Sequence, residues 1–420
     1  MKGLYLRNNR IVVFYGFFFI FLLVIHFFLP LSWADDAVFL KKVSHLSLPE
    51  FLRNSARPII DSFTYFFVKK PLLWRMINPL ILVLSSRLLS EYLSLKNDFI
   101  KTVILSCLLI YPAMVVVDAG FIATTLNYLW PVTFALLCLL PTWKKLNNSK
   151  PHWFEQILFL PCLLYATNMQ QTAVILVILF GIANFYFVFK NDFSIYIMLQ
   201  FFVSSLCLIY SYIINTSGDN SRMLREINRY FPEFSSLSFF EKAELGFSST
   251  FYCLTLKPCF AWFAFFIFLS VLVFFVFKKT NNIVRRIIVS FPLLFSVWGL
   301  IHYYCPEGFI FPKEFIPGDL QHYNLSKAIY SFEPASDMLF IIVVLCILYA
   351  LLILIDDKKK IMITIAILFS GLGSRILMGF SPTVWASGYR TFYLTFISLI
   401  IISLIVIKEN KDLYPSFVKK

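Results

Sequence analysis

Runs of 15–22 apolar residues, each bounded by charged or turn-rich segments, recur along the whole of this 420-residue chain. About 20 apolar residues in a helix match the ~30 Å hydrocarbon core of a bilayer. With 59% hydrophobic residues, 50 phenylalanines, only 14% charged residues and a mean hydropathy of +0.78, the chain carries more apolar surface than a soluble domain buries. Lipid offers no partner to an open backbone group, so the spanning elements should be helices. The strict alternation of a membrane β-barrel is absent. The expected fold class is all-α: a polytopic transmembrane helical protein of about 12 spans, forming one integral membrane domain over 1–420.

The candidate spans fall at 11–31, 72–93, 99–117, 121–141, 153–168, 172–189, 194–214, 258–277, 287–301, 337–355, 361–380 and 391–407, the fifth and ninth being short. An even number places both termini on one side, and the charges indicate which. With Lys2, Arg7 and Arg10 inside, the inner loops carry Lys96 and Lys101, Lys144, Lys145 and Lys150, Lys190, Lys278, Lys279, Arg285 and Arg286, and Lys358, Lys359 and Lys360. The tail adds Lys408, Lys411, Lys419 and Lys420. Every inner segment is basic, as the positive-inside rule requires, and 15 of the 23 acidic residues fall on the other side. The expected setting is a cell membrane, inner or plasma, with both termini cytoplasmic. The net charge of +14 then reflects inner-leaflet anchoring and implies no nucleic acid partner. Ser32-Trp33-Ala34 loosely resembles a signal-peptide cleavage site, but the run before it is longer than a usual signal core, which favours an uncleaved span.

The eight cysteines show no CxxC or Cys/His metal spacing and the five histidines are isolated, so no zinc site is expected. Three outer segments, 32–71, 215–257 and 302–336, are long enough to fold and are expected to cover a site facing outward. The first reads as two interfacial helices, about 36–47 and 49–67, broken at Pro49. The second gives an amphipathic stretch before Pro232, and the third a cover loop rich in Pro, Gly and Tyr.

Asp35 and Asp36 emerge directly after the first span. They are either helix-start acids favoured by the dipole or a base that removes a proton from an acceptor hydroxyl at the membrane surface. Arg57, held extended by Pro58, has a fork that suits a phosphate, of a headgroup or of a lipid-linked donor. Asp118 closes the third span, and Asn127, Tyr128 and Trp130 follow in the outer part of the fourth, where an amide and aromatic faces suit a sugar. Thr124 and Thr125 suit helix packing. Asn168, Gln170 and Gln171 form a polar break that is either a plain outer turn or a hydroxyl-binding edge. Arg375 lies about one and a half turns inside the outer end of its span, and Arg390 opens the last span from outside. An intramembrane Arg costs about 2.5–3.5 kcal/mol on insertion scales, so it either snorkels or binds an anion.

At these residues the chain resembles the GT-C class of membrane glycosyltransferases, most of all the bacterial O-antigen-modifying glucosyltransferases of the Gtr type and a related group of multi-pass proteins. The matching features, in order, are Asp35-Asp36 after the first span, Arg57-Pro58, the Asn127-Tyr128-Leu129-Trp130-Pro131 run, and Ser381-Pro382-Thr383 with Ser387-Gly388-Tyr389-Arg390. The resemblance implies an inverting hexosyl transfer from a polyprenyl-phosphate-linked sugar to a glycan or lipid-linked acceptor on the extracytoplasmic face. It implies Asp35 or Asp36 as base; from their own chemistry, Arg57, Arg375 and Arg390 are expected to hold the donor phosphate. Whether a donor synthase and a flippase act upstream is left open by the sequence. Some members of the class use a divalent metal, and nothing in this sequence demands one. Ala56 stands where a Gly often precedes the Arg-Pro, and no large soluble C-terminal domain is seen.

Two rivals use similar surfaces. A polysaccharide polymerase would place arginines in a large late outer loop as its main feature. A lipid or glycan transporter would show mid-membrane charges and half-to-half symmetry, neither of which is apparent.

Overall fold

The computed structural model describes residues 2–53, 55–93, 99–115, 119–216, 222–305, 312, 316 and 330–413. Among these residues there is no strand. The chain is an all-α, multi-pass membrane protein: ten of its described helices are long and apolar enough to cross a bilayer.

Chain contacts divide it into two compact units, Met1–Arg222 and Met223–Lys420. The first holds α1 (Lys2–Phe28), α2 (Ala34–His45), α3 (Leu48–Leu52), α4 (Pro58–Lys69), α5 (Pro71–Tyr92), α6 (Phe99–Val115), α7 (Phe121–Leu146), α8 (Trp153–Thr167), α9 (Gln170–Phe189) and α10 (Ile195–Thr216). The second holds all but the first residue of α11 (Arg222–Tyr230), then α12 (Phe239–Thr255), α13 (Phe260–Lys279), α14 (Ile283–Tyr304), α15 (Pro334–Leu354), α16 (Lys358–Ile376) and α17 (Tyr393–Glu409).

Ten of the expected spans correspond to these long helices. The expected third is α6, 17 residues as described, and the fifth is α8, with 15. At about 1.5 Å per residue α8 measures roughly 22 Å, less than the ~30 Å core. The ninth, expected to be short, is 22 residues long because Asn282 caps it early, its side chain accepting from the amides of Val284 and Arg285.

The first loop departs from expectation. Instead of one helix over 49–67 there are two, α3 and α4, divided before Pro58. Proline disfavours the helical region for the residue ahead of it, and Arg57 sits at φ −135°, ψ 57°. Pro58 then opens α4, where its missing N–H is no loss. The segment 302–336 lies mostly outside the described residues.

In the first unit α7 packs against α8, and α9 against α10, around Cys138, Leu163, Ala166, Leu176 and Phe180. Buried polar side chains join α5 to its neighbours: Ser85 with Thr133 at 2.5 Å and Ser86 with Ser106 at 2.6 Å. Hydroxyls and small side chains hold membrane helices together where lipid supplies no hydrophobic drive. Apolar side chains such as Phe17, Phe185 and Ile195 stay exposed, as surfaces wetted by lipid do.

In the second unit α12 crosses the end of α16 backbone to backbone. A Cβ built on Gly246 would stand 1.9 Å from the Ile376 carbonyl oxygen, and one on Gly379 would stand 2.0 Å from that of Lys242. Neither obstacle is a side chain that can swing away. Gly246→Ala and Gly379→Ala are each expected to lower stability by about 3 kcal/mol or more, at the upper end of overpacking costs. The thermal midpoint of the purified protein in detergent would report it; wild-type midpoints would refute the crossing.

Candidate functional site

The site is built in the first unit around the start of α7. Gly120, at φ +101°, turns the chain into the helix in a conformation that disfavours any side chain. The first amides of a helix have no acceptor within it, and here a side chain 86 residues earlier in sequence supplies one. Asp36 Oδ2 accepts the Ile122 N–H at 2.9 Å and Oδ1 the Ala123 N–H at 2.8 Å. The carboxylate is 1% exposed. A Cβ on Gly120 would lie 2.8 Å from Asp36 Cγ, so glycine is required by space as well as by φ. Burial pushes the Asp36 carboxyl up, the amides of Ala123, Ile122 and Phe121 draw it back, and the Asp35 charge adds to the rise. Ala34, two residues before, is left-handed at φ 51°, a conformation costing about 1–3 kcal/mol in a non-glycine residue. It turns the chain into α2 just before the acidic pair. Asp35, beside Asp36, stays half-exposed.

One turn into α7 the helix opens into a π turn over Thr125–Leu129, where the Trp130 N–H reaches back five residues to the Thr125 carbonyl. The cause is Pro131, which has no N–H to give the Asn127 carbonyl; such turns often mark functional sites. Asn127 lies in this turn. Its Nδ2 donates to the Ala123 carbonyl at 2.6 Å, and its Oδ1 accepts from Arg57 Nη1 at 2.7 Å. A series of polar contacts therefore runs from the Asp36 carboxylate to the Ala123 N–H, and from the Ala123 carbonyl through the Asn127 amide to the half-buried Arg57 guanidinium. Met169 Sδ also lies 4.0 Å from Arg57 Nη1. Ahead of Pro58, the Arg57 amide donates to Ser55 Oγ at 3.0 Å, and Ser55 donates in turn to Asp61.

Asn168 serves the neighbouring helix: its Oδ1 accepts the Ile60 N–H at 3.0 Å, capping the first turn of α4. Gln170 is half-exposed at the start of α9, and Gln171 is buried. Tyr128 is half-buried on the π turn. Trp130 does not form the sugar wall expected of it. Its indole donates to Asn78 Oδ1 at 2.8 Å, and its ring packs among Phe67, Phe134 and Tyr165 at centroid distances of 5.5–6.0 Å. Asp118 lies outside the described residues.

Arg375 and Arg390 belong to the second unit. Arg375 is 2% exposed; its Nη2 donates to the Val384 carbonyl at 2.9 Å and its guanidinium stacks 4.8 Å from the Phe392 ring centroid. An arginine so enclosed ties the 381–389 segment to its span instead of presenting a fork to an outside phosphate. Arg390 is half-exposed in the 3₁₀ turn Tyr389–Phe392.

Sequence reasoning passed over Gly120, Asn78 and α12. The signal for α12 was present: Ser238 accepts from the Glu241 amide and Glu241 from the Ser238 amide, the Ser-x-x-Glu box that starts helices. Among the described residues no cluster of three or more His, Cys, Asp or Glu groups is arranged to hold a metal ion. No family model matches the chain, and neither does any curated protein or solved structure.

Asp36→Ala would leave the Ile122 and Ala123 amides buried without an acceptor, at about 1–3 kcal/mol each. Asp36→Asn keeps one acceptor oxygen and should cost less. Thermal midpoints in detergent should therefore rank wild type, Asn, then Ala; equal midpoints would show that the contact does not hold α7.

Proposed function

We propose that the chain is an inverting membrane glycosyltransferase, moving a sugar from a polyprenyl-phosphate donor to a cell-surface glycan or lipid-linked acceptor on the extracytoplasmic face. What supports the reading is the polar chain Asp36–Ala123–Asn127–Arg57, which gathers three sequence-distant motifs at one end of the first unit, with Asp35 half-exposed beside it. The proposed chemistry rests on that unit alone.

The two carboxylates divide the work. Asp36 holds α7 and has both oxygens engaged, so Asp35 is the base. The acceptor oxygen attacks the anomeric carbon and its proton passes to Asp35. The bond from the anomeric carbon to the phosphate oxygen breaks, and the phosphate leaves with the electron pair. Arg57, oriented by Asn127, stabilises the charge that gathers on that phosphate. Tyr128 and Gln170, both half-exposed, are placed to contact hydroxyls of sugar or acceptor. A synthase and a flippase would supply the donor.

Loss of a general base typically costs 10²–10⁴-fold in rate. In a host lacking this chain, wild type should restore one sugar substituent of the surface glycan, and Asp35→Asn at equal protein level should not. Arg57→Gln should lose about 10²–10³-fold without loss of fold. Full restoration by Asp35→Asn would remove the assigned base, and an unchanged glycan composition in the host lacking the chain would remove the transferase reading.

A further inference from the structure

The second unit contains a cavity of about 420 Å³ that the proposed chemistry does not use. It lies where three spans end together: Lys279 and Thr280 close α13, Arg285 opens α14, and Tyr349, Leu352 and Asp356 come from the end of α15 and the turn beyond it. Its wall is therefore apolar on the span side and charged at the rim. Farther along the spans, Leu352 and Leu345 on α15 and Ile287 on α14 are 57–63% exposed, a surface for hydrocarbon to lie along.

The charges are sorted by geometry. Lys279 Nζ sits 2.9 Å from Asp356 Oδ2 and 3.1 Å from Oδ1. Arg286 turns away and braces the α13–α14 turn, donating to the carbonyls of Thr280 at 2.8 Å and Phe277 at 2.9 Å and to Asn281 Oδ1 at 2.9 Å. Lys278 is directed to the Phe274 ring. Arg285 is left as the exposed cation lining the cavity. Two cations and one carboxylate line the rim, a net charge of +1. That matches the single charge of a phosphodiester. Basic pockets between helix ends at the membrane surface are the usual seats of anionic headgroups.

We propose that this cavity binds the phosphodiester headgroup of an anionic phospholipid, with Arg285 and Lys279 at the phosphate and the acyl chains along α14 and α15. Asp356 tunes the site by limiting the positive charge to one.

The test uses the full chain in phosphatidylcholine nanodiscs containing increasing phosphatidylglycerol, with bound lipid counted by native mass spectrometry after release. Expected is saturable retention of phosphatidylglycerol over phosphatidylcholine. Arg285→Gln should weaken it about tenfold, as loss of one charge-assisted contact does, and Asp356→Asn should tighten it several-fold. Lys150→Gln, a basic loop residue in the other unit, should leave it unchanged. Thermal midpoints in phosphatidylcholine alone confirm that each variant is folded. Equal retention of the two lipids, an unaffected Arg285→Gln, or weakening by Asp356→Asn would each overturn the site. Glycerophosphoglycerol, the headgroup without tails, should fail to compete at equal concentration; if it competes as well as the lipid, the ligand is a free phosphodiester and the lipid assignment is wrong.

Discussion

Hydrocarbon leaves a main-chain N–H or C=O without a partner at a cost of several kcal/mol, and this constraint shapes the first unit wherever a helix ladder is interrupted. The start of α7 has amides with no helical acceptor, and Asp36 supplies one. One turn later Pro131 withholds an N–H, and the helix responds with a π turn whose side chains bond back to the backbone. Asn127 donates to Ala123, and Thr125 both donates to Phe121 and accepts from the Trp74 indole at 2.9 Å. Asp36 and Asn127 thus serve both the helix ladder and the candidate site.

That coincidence separates the two aspartates. They look interchangeable in sequence, yet one is enclosed with both oxygens bound and the other is half-exposed. A helix start attracts a carboxylate through its amides and its dipole, and only one of two adjacent residues on α2 can point into it. The neighbour stays half-exposed beside it.

The spans were legible because a run of about 20 apolar residues is a test of length and composition that tertiary structure seldom overrides. Arg285 and Arg286 hid the true start of α14, since a charged pair reads as loop although long side chains reach out from a helix end. The start of α4 follows from Pro58. Trp130 and Arg375 were beyond reach for a different reason. An indole or guanidinium has the same chemistry in a wall as in a core, and only the packing of Phe67, Tyr165 or Phe392 around it decides which. The pairing of Asp36 with residues 122 and 123 is likewise a long-range contact with no local signal except Gly120, whose place ahead of a helix hints at a tight approach.

The Asp36 contact also orders events in biosynthesis. A chain leaving the ribosome presents α2 long before α7, so the carboxylate is already at the membrane when the helix that needs it emerges. The amides of Ile122 and Ala123 then meet their acceptor as α7 inserts, without waiting for anything C-terminal to it. A first unit assembled in this sequence has its entry helix secured before the second unit has been translated.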